Sequence, residues 1–204
     1  MEPPYRIATE RLVVRCWEPR DAPLLKEAVD SSIDHLREWM PWAHEDPQPL
    51  EAKVALLRRF RGNFDLGQDY VYGIFERDES RVVGGSGLHT RLGPGAFEIG
   101  YWIRADRIGQ GLATEVTGAL TRVAFDLCGA DRVEIRVDPG NVRSLAIPRK
   151  LGFTEEATLR RRLPAFGTEP RDAVVFTLFR SEYPSTPCAS AAVEAWDAGG
   201  TSVL

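Results

Sequence analysis

The sequence has few of the residues that mark secreted, metal-bound or membrane-spanning proteins. Its three cysteines, Cys16, Cys128 and Cys188, have no short spacing, which excludes a disulfide framework or a cysteine-based zinc knuckle and suits a reducing compartment. No apolar run approaches the ~20 residues that span a bilayer, and the N-terminus lacks a basic stretch followed by an apolar one. These absences predict a cytoplasmic protein that is neither secreted nor inserted in a membrane.

An excess of positive charge is also missing. The 26 Lys and Arg residues are outnumbered by 30 Asp and Glu residues, which leaves a net charge of −4 and argues against binding to nucleic acid or to an anionic membrane surface. The three histidines have no motif around them, so we expect no metal site. What is present is enough apolar sequence, 43% of 204 residues, for the core of one domain.

The periodicity of the apolar residues predicts a mixed α/β fold. A strand over residues 9–17 precedes a helical region, and three strands with antiparallel hairpin signals follow within residues 70–103. A long helix, a strand, a short helix and two further strands complete a mostly antiparallel, twisted sheet of about six to seven strands with helices on both faces. We expect one domain over residues 1–183 and a disordered tail, rich in Pro, Ser, Ala and Gly, over residues 184–204.

The most informative segment is the loop of residues 108–113, between a predicted strand and the long helix. Gly109 and Gly111 let the backbone turn tightly, and the helix N-terminus adds unpaired N–H groups. Such a loop is an anion site suited to a pyrophosphate, to which Arg104 and Arg107 could add charged contacts. It lacks the Lys-Ser/Thr of a P-loop and the third glycine of a dinucleotide fingerprint. Taken alone, a Gly-x-Gly pair is more often a tight connection before a structural helix.

Short motifs in a fixed order extend along most of the chain. They are Thr9-Glu10-Arg11-Leu12, Leu36-Arg37-Glu38-Trp39-Met40-Pro41-Trp42, Val83-Gly84-Gly85-Ser86-Gly87-Leu88, Glu98-Ile99-Gly100-Tyr101-Trp102, Gly109-Gln110-Gly111-Leu112-Ala113-Thr114-Glu115, Asn141-Val142-Arg143-Ser144 and Lys150-Leu151-Gly152-Phe153. In this order and spacing, residues 8–183 resemble the GNAT N-acyltransferase superfamily, and within it the RimJ/RimL-like branch that acetylates protein N-termini. One departure is Ile108, where the family motif begins with Gln or Arg.

The resemblance implies acetyl-CoA as the cofactor, with its pyrophosphate on the loop of residues 108–113. The backbone of that loop matches the family although the side chain of Ile108 does not, and Arg107 is a candidate substitute. The residues expected to contact the cofactor are Ile103, Arg104, Arg107, Ile108, Gly109, Gln110, Gly111, Leu112, Ala113, Thr114, Asn141, Arg143 and Ser144.

Acyl transfer needs a neutral amine and a group that protonates the leaving thiolate, and it requires no covalent enzyme intermediate. Glu98 is the candidate base, with a solvated or salt-bridged strand carboxylate as its structural alternative. Ser144 is the candidate acid, because it matches the Ser of the family's Asn-x-x-Ser and this helix has no tyrosine farther along, where many members carry one. The alternative is that Ser144 is a structural residue in the first turn of the helix, where its hydroxyl forms a hydrogen bond with the backbone.

Four aromatic residues and one histidine lie in segments that flank the acceptor site in the family. They are Trp39, Trp42, Tyr72, His89 and Trp102, although many such aromatic residues belong to the core and His89 also suits a turn. The run of residues 160–162, three arginines, fits an acidic acceptor or the 3′-phosphate of the cofactor, and more simply a solvated strand end.

We therefore expect an acetyl-CoA-dependent N-acyltransferase that moves an acetyl group to a primary amine by direct attack in a ternary complex. The foremost acceptor is the α-amine of a protein or peptide N-terminus. Small amines such as aminoglycosides or polyamines are alternative acceptors, and a non-catalytic CoA-binding module is the alternative from another class. The pattern allows a monomer or a homodimer, and it leaves both roles of Glu98 open.

Overall fold

The described helices pack on the two faces of one mixed sheet. The computed structural model describes residues 2–166 and 169–204, and their strands are β1 (Arg6–Ala8), β2 (Leu12–Cys16), β3 (Tyr70–Glu76), β4 (Val82–His89), β5 (Ala96–Ile103), β6 (Arg132–Val137), β7 (Thr154–Phe166), β8 (Glu169–Phe179) and β9 (Glu194–Trp196). These described strands form a single sheet in the order β7-β8-β6-β5-β4-β3-β2-β1-β9. Neighbouring strands are antiparallel except β5 and β6, which are parallel.

The predicted mixed, mostly antiparallel sheet is confirmed, with nine described strands instead of six or seven. The two additional strands are β1 and β9, of three residues each. Strands this short do not show a period-2 alternation that sequence reasoning can detect.

The described helices cover both faces of the sheet. They are α1 (Ala22–Asp30), α2 (Ile33–Trp39), α3 (Leu50–Asp65), α4 (Leu112–Asp126) and α5 (Val142–Lys150), with a 3-10 turn at Pro41–Glu45 between α2 and α3. The apolar faces of α4 and α5 pack on one side of the sheet, and α1, α2 and most of α3 pack on the other. Alternation along the strands supplies both cores: in β2, Val14 belongs to the first and Val13 to the second. None of the helices in the described residues is long and apolar enough to cross a membrane.

The segment after Tyr183 is ordered, which corrects the expectation of a disordered tail over residues 184–204. Strand β9 pairs with β1, so that Ala195 lies opposite Ile7, and both Cys188 and Ala195 are fully buried. The small side chains of Cys188 and Ala195 pack into the body of the protein, although most residues of the segment are exposed. A Cβ at Gly118 of α4 would stand 3.9 Å from the Cβ of Ala191.

The parallel strands β5 and β6 are paired over only three residues of each strand. Hydrogen-bonded pairing joins Ala96–Glu98 to residues 132–134 and goes no farther. Beyond Glu98, β5 remains paired with β4 on its other side, and β6 remains paired with β8 through Val137. A wedge-shaped gap therefore separates the two strands, closed at Glu98 and open at their carboxyl ends, where β5 leads towards the loop of residues 108–113.

Removal of residues 191–204 should destabilise the protein. The truncation takes away β9 and exposes Ile7 and the outer edge of β1, so we expect a loss on the order of 2 kcal/mol and a Tm lower by about 4–8 °C. Differential scanning calorimetry measures the change. Glu194→Gln, at an exposed position of β9, is the control that should leave Tm unchanged, and an unchanged Tm in the truncated protein would contradict the packing described.

Candidate functional site

The loop before α4 presents a row of unpaired backbone N–H groups. Both glycines adopt left-handed conformations, with φ of +75° at Gly109 and +78° at Gly111, which residues with a Cβ rarely adopt. Within the described residues, no hydrogen bond is donated by the backbone N–H groups of residues 108–114. A Cβ at Gly109 would meet nothing within 4 Å, so the loop is open to a ligand. Together with the positive end of the α4 dipole, it forms an anion site made of backbone.

A polar brace fixes this loop to the turn before β2. The Thr9 hydroxyl donates to Glu115 Oε1 at 2.6 Å and the Arg11 backbone N–H donates to the same oxygen at 3.0 Å. The Arg11 guanidinium donates from Nε to Glu115 Oε2 at 2.6 Å and from Nη1 to the carbonyl of Gln110 at 2.8 Å. Sequence analysis included these residues only as family motifs and missed their contact, because they lie about a hundred residues apart.

The Arg104 side chain is structural, which corrects the prediction that it contacts the cofactor phosphates. It is 2% exposed, and each guanidinium nitrogen already has acceptors. Nη1 and Nη2 each donate to a carboxylate oxygen of Glu27 at 2.8 Å, and Nε donates to Asp106 at 2.7 Å. The remaining N–H groups donate to the carbonyl of Val82 and the hydroxyl of Ser31, so all five donors of the guanidinium are engaged.

The other cofactor candidates on this side differ in what they can offer. Arg107 is ion-paired with Glu76, and Ile108 is exposed. The side chains of Ile103 and Leu112 are buried in the core beneath α4, so a ligand on the loop would meet their backbone and not their side chains.

On the other side of the gap, α5 begins with a capped turn. Asn141 accepts the backbone N–H of Ser144 at 3.1 Å through its side chain, which is the N-cap contact expected at a helix start. The hydroxyls of Ser144 and Tyr101 lie 2.9 Å apart, so this pair bridges the gap between α5 and β5. The Arg143 side chain is exposed beside it.

Sequence analysis missed Tyr101 as a site residue. It alternates with apolar residues on the face of β5 that packs under α4, so it resembles a core tyrosine. Burial raises its pKa to about 12, which keeps the phenol protonated through the neutral range. Its hydroxyl also lies 3.3 Å from the carbonyl of Ser144, but only a phenol that donates to the Ser144 hydroxyl leaves the serine hydrogen for another acceptor.

Two carboxylates stand opposite each other at the closed end of the gap. Glu98 of β5 is paired with Glu134 of β6, and each is 8% exposed. Arg91 donates to Glu98 Oε1 at 2.8 Å, and Arg136 lies 3.6 Å from Oε2. Glu134 is held by Arg132 at 3.0 Å and Arg136 at 3.2 Å. The salt-bridged state of Glu98 is therefore present in the structure, and its role as a base stays a prediction.

The tryptophans expected at the acceptor site lie on the face of the sheet that carries α1 to α3. Trp42 is 39% exposed and meets Trp102 edge to face at 5.9 Å between ring centroids. Trp102 lies over its cross-strand neighbour Gly85, where a Cβ would stand 2.5 Å from the indole nitrogen. Trp39 is half-buried and borders the loop before α5, because a Cβ at Gly140 would meet its ring at 3.9 Å.

The two remaining acceptor candidates lie elsewhere or have partners already. Tyr72 is fully buried, and its hydroxyl donates to the carbonyl of Pro4 at 2.8 Å, which corrects its assignment to the acceptor wall: it is a core residue. The Nδ1 of His89 lies 3.0 Å from both carboxylate oxygens of Asp69, and the histidine stands opposite Glu98 on the neighbouring strand.

Comparisons show which known proteins this chain is similar to. A family model described as "Acetyltransferase (GNAT) domain" matches residues 11–154. The chain is 28% identical over 160 residues to the ribosomal protein uS5-alanine N-acetyltransferase of Escherichia coli (strain K12), covering 76% of this chain and 80% of that protein. It is 30% identical over 180 residues to the uncharacterized N-acetyltransferase p20 of Bacillus licheniformis, covering 86% and 96%. RimJ of Mycobacterium smegmatis in complex with CoA-disulfide has the same fold, with a TM-score of 0.81 at 24% identity, covering 93% of this chain and 95% of that chain.

Replacing Gly111 by alanine should weaken binding at the loop. Alanine in a left-handed conformation costs about 1–2 kcal/mol. The loop of the variant therefore relaxes to another conformation when it is empty, and it must regain the left-handed conformation to bind. We expect the Kd for coenzyme A to rise about tenfold. Isothermal titration calorimetry measures the change. Gly62→Ala is the matched control, since Gly62 lies in α3 with open space around its Cβ position. An unchanged Kd in Gly111→Ala would contradict the role of the loop.

Proposed function

This chain belongs to the GNAT acetyltransferase family and is an acetyl-CoA-dependent N-acetyltransferase, and from that premise we propose that its acceptor is the N-terminal α-amine of a protein. The observation that carries the proposal is the pair of buried carboxylates, Glu98 and Glu134, at the point where the pairing of β5 with β6 ends. The supporting relative is the Escherichia coli enzyme named for an alanine of ribosomal protein uS5.

The described residues fit acetyl-CoA. The N–H groups of residues 108–114 and the α4 N-terminus suit its pyrophosphate, and the edge of β5 that faces the gap offers backbone partners to its amide-bearing arm. Gly109 and Ala113 keep the loop free of bulky side chains, while Arg143 supplies an exposed cation at the start of α5. When bound, acetyl-CoA supplies the thioester carbonyl that an amine attacks.

An α-amine matches the electrostatics of the closed end. With a pKa of ~7.7–8.0, about a quarter of such amines are neutral at pH 7.4, against about one in a thousand lysine side chains. The carboxylates of Glu98 and Glu134 attract the ammonium form. Glu98, which contacts Arg91 at 2.8 Å and lies 3.6 Å from Arg136, accepts its proton as the amine becomes nucleophilic.

Ser144 is the proton donor on the opposite wall. In this proposal the protonated phenol of Tyr101 donates to the Ser144 hydroxyl, 2.9 Å away, so that the serine hydroxyl hydrogen is free to point at the leaving sulfur. Ser144 gives this proton to the leaving thiolate and is reprotonated from solvent, to which Glu98 releases the proton of the amine, while Asn141 holds the turn in which Ser144 lies. The enzyme needs no covalent intermediate of its own.

The cellular compartment and the class of partner belong to the same proposal. A relative named for a ribosomal protein and the net charge of −4 support action in the cytoplasm on a protein acceptor and not on nucleic acid. A monomer or a homodimer is compatible with this role.

The acceptor class can be tested by following free thiol release from acetyl-CoA. A peptide with a free α-amine and no lysine should react about 250-fold faster at pH 7.4 than the same peptide with a blocked N-terminus and one lysine, because of their neutral fractions. An aminoglycoside and a polyamine complete the panel. Turnover of the small amines alone would overturn the protein acceptor, and coenzyme A binding without transfer to any amine would indicate a binding module.

Glu98→Gln tests the base. The substitution keeps the shape of the side chain and a hydrogen bond to Arg91 but cannot accept a proton. We expect kcat/KM for an α-amine peptide to fall about 10²-fold, with a pH profile displaced upward because only amines that are already neutral react. Glu51→Gln, on the exposed first turn of α3, should match the wild type. A Glu98→Gln enzyme with an unchanged pH profile would show that Glu98 is structural.

A further inference from the structure

Three consecutive arginines on β7 surround a cavity that the reaction does not use. Arg160, Arg161 and Arg162 line a space of about 560 Å³ together with Leu159 and Asp172. Three of the five residues that line this cavity are arginines, in a protein whose net charge is −4.

A bulge in the β7–β8 hairpin brings these arginines together. Pairing runs from Leu159 opposite Ala173 directly to Leu163 opposite Arg171, so three residues of β7 stand against one of β8. Arg161 adopts φ +55° within the bulge, and its backbone N–H donates to Asp172 Oδ1 at 2.9 Å. A bulge redirects side chains that would otherwise alternate between the two faces, which explains how neighbouring arginines line one cavity.

The guanidinium groups at this cavity have capacity for a ligand. Arg161 is paired only loosely with Glu169, at 3.2 Å with both side chains about 70% exposed. Within residues 2–166 and 169–204, no carboxylate pairs with Arg160 or Arg162, and both are exposed. Arg104, by contrast, has every donor engaged within the protein.

The register places the cavity at the mouth of the gap. Val137, the last residue of β6, is opposite Val174, so the part of the hairpin from Leu159 onward extends past the open end of β6. Strand β7 also contacts the 3-10 turn Pro41–Glu45, which carries Trp42. A polypeptide whose N-terminal amine enters the gap would therefore leave it between this turn and the arginines.

We propose that residues 160–162 bind a carboxylate side chain in the first few residues of the acceptor protein. This inference rests on the proposed function, and it names the acceptor class as N-termini followed by Asp or Glu. Guanidinium groups match carboxylates in geometry and charge. The local positive patch overcomes the repulsion that a protein of net negative charge exerts on an acidic partner. The acceptor then carries an ammonium towards Glu98 and a carboxylate towards the arginines.

The test compares two peptides that share their N-terminal residue and length, one with two Glu residues among positions 2–6 and one with Gln in their place. Wild-type enzyme should have the lower KM for the acidic peptide. In R160Q/R162Q, KM for the acidic peptide should rise about tenfold while kcat and KM for the Gln peptide stay constant, as expected for the loss of two exposed ion pairs. The preference should weaken with salt. R58Q/R59Q removes two exposed charges from α3 and is the matched control.

Other outcomes overturn the inference in distinguishable ways. Equal KM values for the two peptides with wild-type enzyme would refute it while the α-amine acceptor stands. A higher KM for acetyl-CoA with both peptides in R160Q/R162Q would mean that the arginines serve the 3′-phosphate of the cofactor. If no peptide is acetylated, the proposed function fails, and calorimetry with the acidic peptide decides the inference alone: binding lost in R160Q/R162Q supports it, and unchanged binding refutes it.

Discussion

The interruption of hydrogen bonding between β5 and β6 is the constraint on which the remaining architecture depends. A sheet that stops pairing in its middle exposes backbone groups that normally satisfy each other, and this arrangement persists because the strands on either side are paired elsewhere. β5 is held by β4 and β6 by β8, and the core under α4 and α5 contains residues of both strands. The Tyr101–Ser144 contact spans the space from β5 to α5. The site is thus a property of the whole sheet and not of one motif.

Electrostatics at this site are local. The unpaired N–H groups of residues 108–114 offer positive peptide dipoles, whereas the side chain next to them, Glu115, is negative and is paired with Arg11. At the closed end of the gap, carboxylates and guanidinium groups alternate around Glu98. The hairpin beyond the carboxyl end of β6 carries the exposed arginines of residues 160–162. Net charge alone therefore says little about what binds, because each part of the site has its own sign.

The parts of the molecule that sequence analysis predicted correctly are those with local signals. The order of helices and strands follows from short-range periodicity, and the loop with Gly109 and Gly111 follows from a strand, two glycines and a helix in succession. The errors concern partners distant in sequence. Arg104 was predicted to bind phosphate because its true partner, Glu27, lies 77 residues away and leaves no local signal. Tyr72 was predicted to flank the acceptor for the same reason, since its hydrogen bond to Pro4 joins residues 68 positions apart. The composition of residues 184–204 concealed that Cys188 and Ala195 are buried.

Ile108 illustrates a further consequence of an anion site built from peptide groups. The family motif begins there with a long polar side chain, yet the unpaired N–H groups that follow exist whatever residue occupies the position, and Gln110 is held in place through its carbonyl by Arg11. The side chain at position 108 can therefore change while the backbone N–H groups of the loop stay in place. A pattern search that demands Gln or Arg at this point would overlook proteins of this kind, while a search based on backbone torsion angles would retrieve them.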